Sequence, residues 1–396
     1  MKTLTTESPE SGAVAARSAR GARLPRPGEE GVALMLVLLF VVLLGAIVTE
    51  YAYETQVEAA LAANVRADLD AYVAAKSAVA AGVGLLYADM VEQEVQVAAA
   101  SAAQLSGSEY LDSLLDVWAT ERLVETLNDG VFQCEVADEY GKINLNALLT
   151  YDEEGAGGEE ANPILEQALR YLFVDILQAE EDPTDALLDY LDSDDDTRPE
   201  GAESDFYATL GATFGAKNGR ISSIEELLLV PGITPELFFD CNRDPDEEWD
   251  EEWDMDLEGL RPPSLSDLLT VHGHPQGKIN VNTARPEVLE AVLAALPGGN
   301  PEMVEDILAY QMAEPFESLN DMAERNVFDK KGSKEAKRVL DVRSDVFRIL
   351  GDGRAQDVMV RIEAYVARTP PEAVGTAGPD GQAMELLRIL DWRVIR

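Results

Sequence analysis

The hydrophobic pattern of the chain opens with one unbroken run. Residues 32–49 carry eighteen successive side chains without a charge, between Gly31 and Glu50. At ~1.5 Å per residue a helix of that length reaches ~27 Å, close to the ~30 Å hydrocarbon core of a bilayer. A single membrane-spanning helix is therefore expected at 32–52. Beyond it the pattern changes period rather than stopping. Val57, Leu61, Val65, Leu69 and Tyr72 recur at spacings of four and three, which marks one apolar helix face. They stand among many alanines, which favour helix. One rod from Val32 to about Ala81 is expected, half in the bilayer and half packed on a soluble head. Residues 92–104 read as helix or loop, and 110–127 as helix through Leu111, Leu114, Leu115, Trp118 and Leu123.

The period then shortens. Asn128-Asp129-Gly130 is a turn signal, followed by a strand over 131–136 and a second extended segment over 143–148. Residues 163–338 read as helical, broken by acidic and Gly/Pro loops. Strands return at 346–350, 358–367 and 386–395. β-type segments thus flank a helical middle. The expected fold is α+β: a long N-terminal helix and an α/β head with a large helical insertion. The expected divisions are 1–31, a leader; 32–52, the spanning part of the long helix; 53–150, the helix and first strands; 151–340, the insertion; and 341–396, the last strands.

Charge separates the two sides of the apolar run. The chain has 75 acidic and 31 basic residues, a net charge of −44, with 46% hydrophobic residues, enough to bury a core. Residues 1–31 hold five basic and four acidic side chains, so nearly all the negative charge lies beyond the run. Arg17, Arg20, Arg23 and Arg26 precede the run and keep that side cytoplasmic. The bulk is then expected outside the cytoplasm. Its field repels nucleic acid and favours cations or basic partners. Outside the cytoplasm a disulfide between Cys134 and Cys241 is one reading and two buried thiols the other.

The junction at Gly31 resembles the cleavage site of type IV prepilin-like proteins, whose peptidase cuts after a glycine on the cytoplasmic face. The mature chain would begin at Val32, with N-methylation there implied by the resemblance. Glu29 and Glu30 stand where such leaders usually carry a basic residue. Leu36 stands at the fifth mature position, where most pilins and pseudopilins carry Glu.

Further motifs follow in order: Gly141-Lys142-Ile143-Asn144-Leu145-Asn146, then Asp189-Tyr190-Leu191-Asp192-Ser193-Asp194-Asp195-Asp196 with Arg198-Pro199, then Gly201-Ala202-Glu203-Ser204-Asp205-Phe206-Tyr207. Ile224-Glu225-Glu226-Leu227-Leu228-Leu229-Val230-Pro231-Gly232-Ile233 and Lys278-Ile279-Asn280-Val281-Asn282-Thr283-Ala284 complete the set. In that order they resemble the K-type minor pseudopilins of type II secretion, over most of residues 32–396. That family also lacks the Glu at mature position five. The resemblance implies a subunit at the tip of a periplasmic pseudopilus that helps start its assembly and caps it. Its implied partners are other minor pseudopilins, the major pseudopilin and the prepilin peptidase, with no nucleic acid.

Candidate chemistry is acidic. Asp192, Asp194, Asp196 and Glu203 occupy positions 1, 3, 5 and 12 of one twelve-residue window. Asp240, Asn242, Asp244, Asp246 and Glu251 occupy positions 1, 3, 5, 7 and 12 of another. Ca²⁺ takes six to eight oxygens, and this alternation is how an EF-hand loop supplies them. Position 6, the EF-hand glycine, is Thr197 or Pro245, so neither window is a true EF-hand. The family's association with calcium adds to the expectation of Ca²⁺ here; a solvated acidic loop is the alternative. Two segments, 224–237 and 281–316, resemble helix-hairpin-helix units, and a membrane-anchored DNA-binding protein is the second functional reading. Glu236, Glu302 and Glu305 beside the hairpins oppose phosphate binding. No nucleophile elbow, phosphate loop or dinucleotide fingerprint occurs. His272 and His274 lack cysteine neighbours for zinc. An enzyme is not expected.

Overall fold

The computed structural model describes residues 29–102, 110–120, 123–127, 130–151, 157–239, 263–325, 327, 332–369 and 385–395. The chain divides into two compact units, residues 1–65 and 66–396. Helix α1, Glu29–Ala102, contributes to both. In the first unit its apolar stretch reaches a mean hydropathy of 3.1 over eighteen residues, none of them buried. Thr49 Oγ1 donates to the Gly45 carbonyl and Thr55 Oγ1 to that of Tyr51, both at 2.8 Å, so these hydroxyls are satisfied within the helix. The helix is longer than the pattern predicts, absorbing the segment read as helix or loop.

The second unit is built on a five-stranded antiparallel sheet. Its strands are β1 (Leu123–Leu127), β2 (Gly130–Asp138), β3 (Val346–Ala355), β4 (Val358–Arg368) and β5 (Leu387–Ile395), paired in that order. The helix expected over 110–127 is corrected by the structure: among the described residues of that span only Val117–Thr120 is helical, and β1 pairs with β2 as the first arm of a hairpin. Trp118 is the reason the apolar spacing misleads. It is buried edge-on against Phe347, and that tertiary contact accounts for one of the apolar positions read as a helix face.

Helix and sheet meet through small residues. Ala71, Ala75, Ala78, Val79 and Leu86 pack on Cys134, Val136, Phe347, Ile349, Ile362, Ala364 and Val366. A Cβ on Gly353 would stand 2.1 Å from the Ala71 carbonyl oxygen, and one on Gly351 2.6 Å from that of Ala75. The helix backbone thus lies directly over two strand glycines. Of the expected apolar face, Tyr72 packs partly against this core, whereas Leu69 is 58% exposed. A rotation of the helix explains the difference, since alanines permit the close approach and the Leu/Val stripe is left outward.

β2 and β3 are adjacent antiparallel strands, with Asp138 opposite Phe347 and the Glu139 N–H donating to the Val346 carbonyl at 3.0 Å. Where a hairpin turn would stand, the chain instead makes a helical domain with its own core, from Ile143 to Val342. That core includes the wholly buried helix α2 (Thr184–Leu191) and α3 (Pro286–Ala295).

The glycine contact makes a prediction. Gly353→Ala meets backbone rather than a flexible side chain, so it should cost about 1–3 kcal/mol of stability, as overpacking does. Gly84→Ala, with nothing within 4 Å of its added Cβ, should be neutral or stabilising by up to ~1 kcal/mol. Urea unfolding of the two variants checks this, and equal stabilities would refute the close helix–sheet contact.

Candidate metal centre

The carboxylates of the first acidic window gather at the end of α2. The helix stops at Leu191, Asp192 takes an extended conformation, and the loop returns to Glu203, which precedes the short helix Ser204–Thr209. Ligand oxygens of Asp192, Asp194 and Glu203 all lie within 4.8 Å of one another. Asp192 is fully buried and Glu203 4% exposed. Asp192 Oδ1 and both carboxylate oxygens of Glu203 have no hydrogen-bond partner, nor has the hydroxyl of Tyr207 nearby in sequence. Buried acceptors without partners are costly. Their pairing with a hard cation fits the donor set, because Ca²⁺ takes carboxylate oxygens. Asp196 stands apart, exposed, its backbone N–H donating to Asp194 Oδ1 at 2.7 Å.

Two residues that the spacing does not single out complete the loop. Asp189, fully buried, accepts from Arg198 Nη1 at 2.7 Å and from the Arg198 backbone N–H at 3.2 Å. The same Nη1 bonds Asp192 Oδ2. A Cβ on Gly201 would overlap the Asp189 carboxylate at 1.9 Å, so only glycine lets the chain pass there. Burial first, then Asp189, Asp192 and Asp195, push the Glu203 carboxyl up to about 7.

A second carboxylate group, Asp89, Asp112 and Asp116, sits where α1, the 110–116 loop and the end of β4 meet. It already holds a cation. Arg368, 5% exposed, donates to Asp89 Oδ2 at 3.0 Å and to Asp112 Oδ1. Ser113 donates to Asp116 through its N–H and hydroxyl. The neighbouring Asp138 accepts from Ser344 Oγ and Thr283 Oγ1, each at 2.5 Å, and from the Tyr140 N–H at 2.7 Å. Unlike the loop after α2, neither Asp89, Asp112, Asp116 nor Asp138 has a buried side-chain oxygen without a partner.

Residues 141–240 and 279–343 match the two family models described as type II secretion system protein K, and together they bracket the helical insertion. The chain is a K-type minor pseudopilin of type II secretion. Among solved structures it is similar to a chain of the GspK-GspI-GspJ complex from the enterotoxigenic Escherichia coli type 2 secretion system. The TM-score is 0.52 at 19% identity, covering 81% of this chain and 99% of that one, which speaks for a shared fold. No curated relative matches the chain.

The other expected site residues fall as follows in the pseudopilin. Asp240, Asn242, Asp244, Asp246 and Glu251 lie outside the described residues, as does Cys241. Cys134 is a free, buried thiol facing Gly82 of α1, and burial pushes its pKa up to about 12. His272 packs on Tyr365 and His274 on Tyr140, away from the acidic group, and burial lowers both. Gly31 and Val32 lie in the first turns of α1, with Val32 60% exposed.

The buried junction makes stability pH-dependent. Burial, with Asp116 and Asp112 adding repulsion and Arg368 opposing it, raises Asp89 from 3.8 to about 7; burial raises Asp138 likewise. A carboxyl raised in the fold contributes stability that is full below the unfolded value and lost as pH rises through the folded one. Urea unfolding should therefore show a loss of stability from about pH 4 to pH 7 that is smaller in Asp89→Asn. An identical slope in that variant would show that Asp89 does not titrate in this range.

Proposed function

We propose that this pseudopilin is anchored in the inner membrane with residues 66–396 in the periplasm. There it occupies the tip of the pseudopilus, helping start assembly and capping it, with two smaller minor pseudopilins bound to it. The observation that carries this reading is the helix face with Val57, Leu61 and Val65, all three exposed. Burial of such side chains is worth ~25 cal/mol per Å², so a partner helix is their natural cover. The related solved structure, whose title names a complex of GspK with GspI and GspJ, supports partners of that kind. Leu36 agrees with the tip: with Gly31 removed by the prepilin peptidase, the fifth residue offers no carboxylate to a neighbour's terminal amine. The hairpins bear Glu225, Glu226, Glu236, Glu302, Glu305 and Asp306 in first helical turns, which speaks against the nucleic-acid reading.

The experiment is purification from membranes of a cell carrying the whole secretion system. The mature N-terminus should read Val32, and two smaller minor pseudopilins should co-purify. Leu61→Asp with Val65→Asp should abolish the co-purification without lowering the melting temperature. Retention of both partners by that double variant would sink the α1 interface.

The same reading includes calcium at Asp192, Asp194 and Glu203, where the unpartnered buried oxygens call for a hard cation. Binding to the folded state alone stabilises by RT ln(1 + [L]/Kd). With Kd near ~10⁻⁴–10⁻³ M, typical of extracellular sites, millimolar calcium should add about 1 kcal/mol or somewhat more. Magnesium should do less, because it demands octahedral geometry and holds its waters. Thermal melting of the detergent-solubilised chain in EDTA, magnesium and calcium measures this. The calcium increment should disappear in Asp194→Asn, and equal shifts from the two ions would reduce the loop to a solvated acidic surface.

A further inference from the structure

We propose that Arg198 is a built-in counter-cation of the acidic loop: it closes the loop over Asp189 and Asp192 in the metal-free chain and, by charge competition, holds calcium affinity down. The inference rests on the calcium reading above and adds the residue that sets its strength.

The geometry of Asp192 carries it. One oxygen, Oδ2, bonds the Arg198 guanidinium; the other, Oδ1, is buried without a partner in the group with Asp194 and Glu203. One carboxylate thus faces a resident cation on one side and an open set of acceptors on the other. Arg198 is held from several directions, through Nη1 to Asp189 at 2.7 Å, through its backbone N–H to the same carboxylate, and through its carbonyl, which accepts the Gly201 N–H at 3.0 Å. Asp189, Asp192, Asp194 and Glu203 carry four formal negative charges against this one guanidinium. It neutralises enough of them for the empty loop to stay folded.

An ion bound through Asp192 Oδ1 would share that carboxylate with Arg198. Two cations on one carboxylate repel strongly even at the effective dielectric of ~20 suited to partly buried groups. Arg198 therefore does two opposed things. It lowers the cost of the empty state, and it weakens the filled one. A site restrained in this way responds to the high calcium outside the cytoplasm and stays empty at the low concentrations inside.

The test is calcium titration by calorimetry on the detergent-solubilised full chain, with melting in EDTA alongside. Arg198→Met removes the charge and keeps the side chain's length; Arg198→Gln keeps donors without charge; Arg198→Lys keeps charge. Both neutral variants should bind calcium about tenfold or more tightly and melt lower in EDTA. Arg198→Lys should keep an affinity near wild type. A neutral variant that does not fold in EDTA should fold on adding calcium, and its folding midpoint then reads the affinity. Wild type that binds calcium, with neutral variants of equal or weaker affinity, overturns the inference and makes Arg198 a residue that merely positions Asp192. No calcium binding by wild type removes the calcium reading itself, and the inference with it.

Discussion

The pseudopilin's second unit depends on a buried polar junction that ties the helical insertion to the sheet. Asn280 stands at its centre, wholly buried. Its Nδ2 donates to the Asp112 carbonyl at 3.0 Å and to Ser344 Oγ at 2.8 Å, and its N–H to the Tyr140 carbonyl at 2.8 Å. Arg368 completes the junction, donating to the Ser344 carbonyl at 2.7 Å while bridging Asp89 and Asp112. Segments from α1, the 110–116 loop, β2, the insertion and β4 meet on these few side chains. Removal of one partner would leave the others buried and unsatisfied, so the junction is more sensitive than its number of bonds suggests.

The junction also accounts for how a hairpin tolerates a domain in place of its turn. Closing a longer loop costs little more than closing a short one, ~0.6 kcal/mol for each doubling. What the sheet requires is that both ends return to the same place. They do: the Glu139 N–H donates to the Val346 carbonyl at 3.0 Å, extending the strand ladder across both ends, and the returning end is held by the Asp112 N–H, which donates to the Val342 carbonyl at 2.9 Å. With the ends fixed and a separate core inside, the insertion is free in size.

How much of this was legible in the sequence varies with range. The spanning run, the β2 strand, the three returning strands and the helical middle all follow from local periodicity. So do Asp192, Asp194 and Glu203, because alternate carboxylates after a helix converge within one loop. Asp189 and Arg198 were legible only as family motif, since their pairing is set by how α2 is buried; an arginine soon after five carboxylates was the available signal. The hairpin arm at Leu123–Leu127 reads as helix because its local pattern does not show the pairing with β2 that makes it a strand. Asp196 has a ligand's spacing but is exposed and outside the group of Asp192, Asp194 and Glu203, which spacing alone cannot show.

The two faces of α1 follow from a single steric condition. Where its stretch beyond Arg66 passes over Gly351 and Gly353, Ala71, Ala74, Ala75 and Ala78 allow the close approach, with Val79 beside Gly351 and Leu86 further along filling the same core. Yet Leu69 and Val73 remain in the same stretch, exposed, and Val57, Leu61 and Val65 continue their spacing in the stretch before it. Exposed stripes of that kind are costly for a soluble chain that stays alone and economical for one that assembles. Leu69 and Val73 take no part in the contact that the alanines, Val79 and Leu86 make with the sheet. The chain thus keeps small residues where the helix backbone passes the strand glycines, fills the rest of that contact with Val79 and Leu86, and leaves other large apolar residues of the helix outward, an arrangement that suits a subunit that assembles better than one that stays alone.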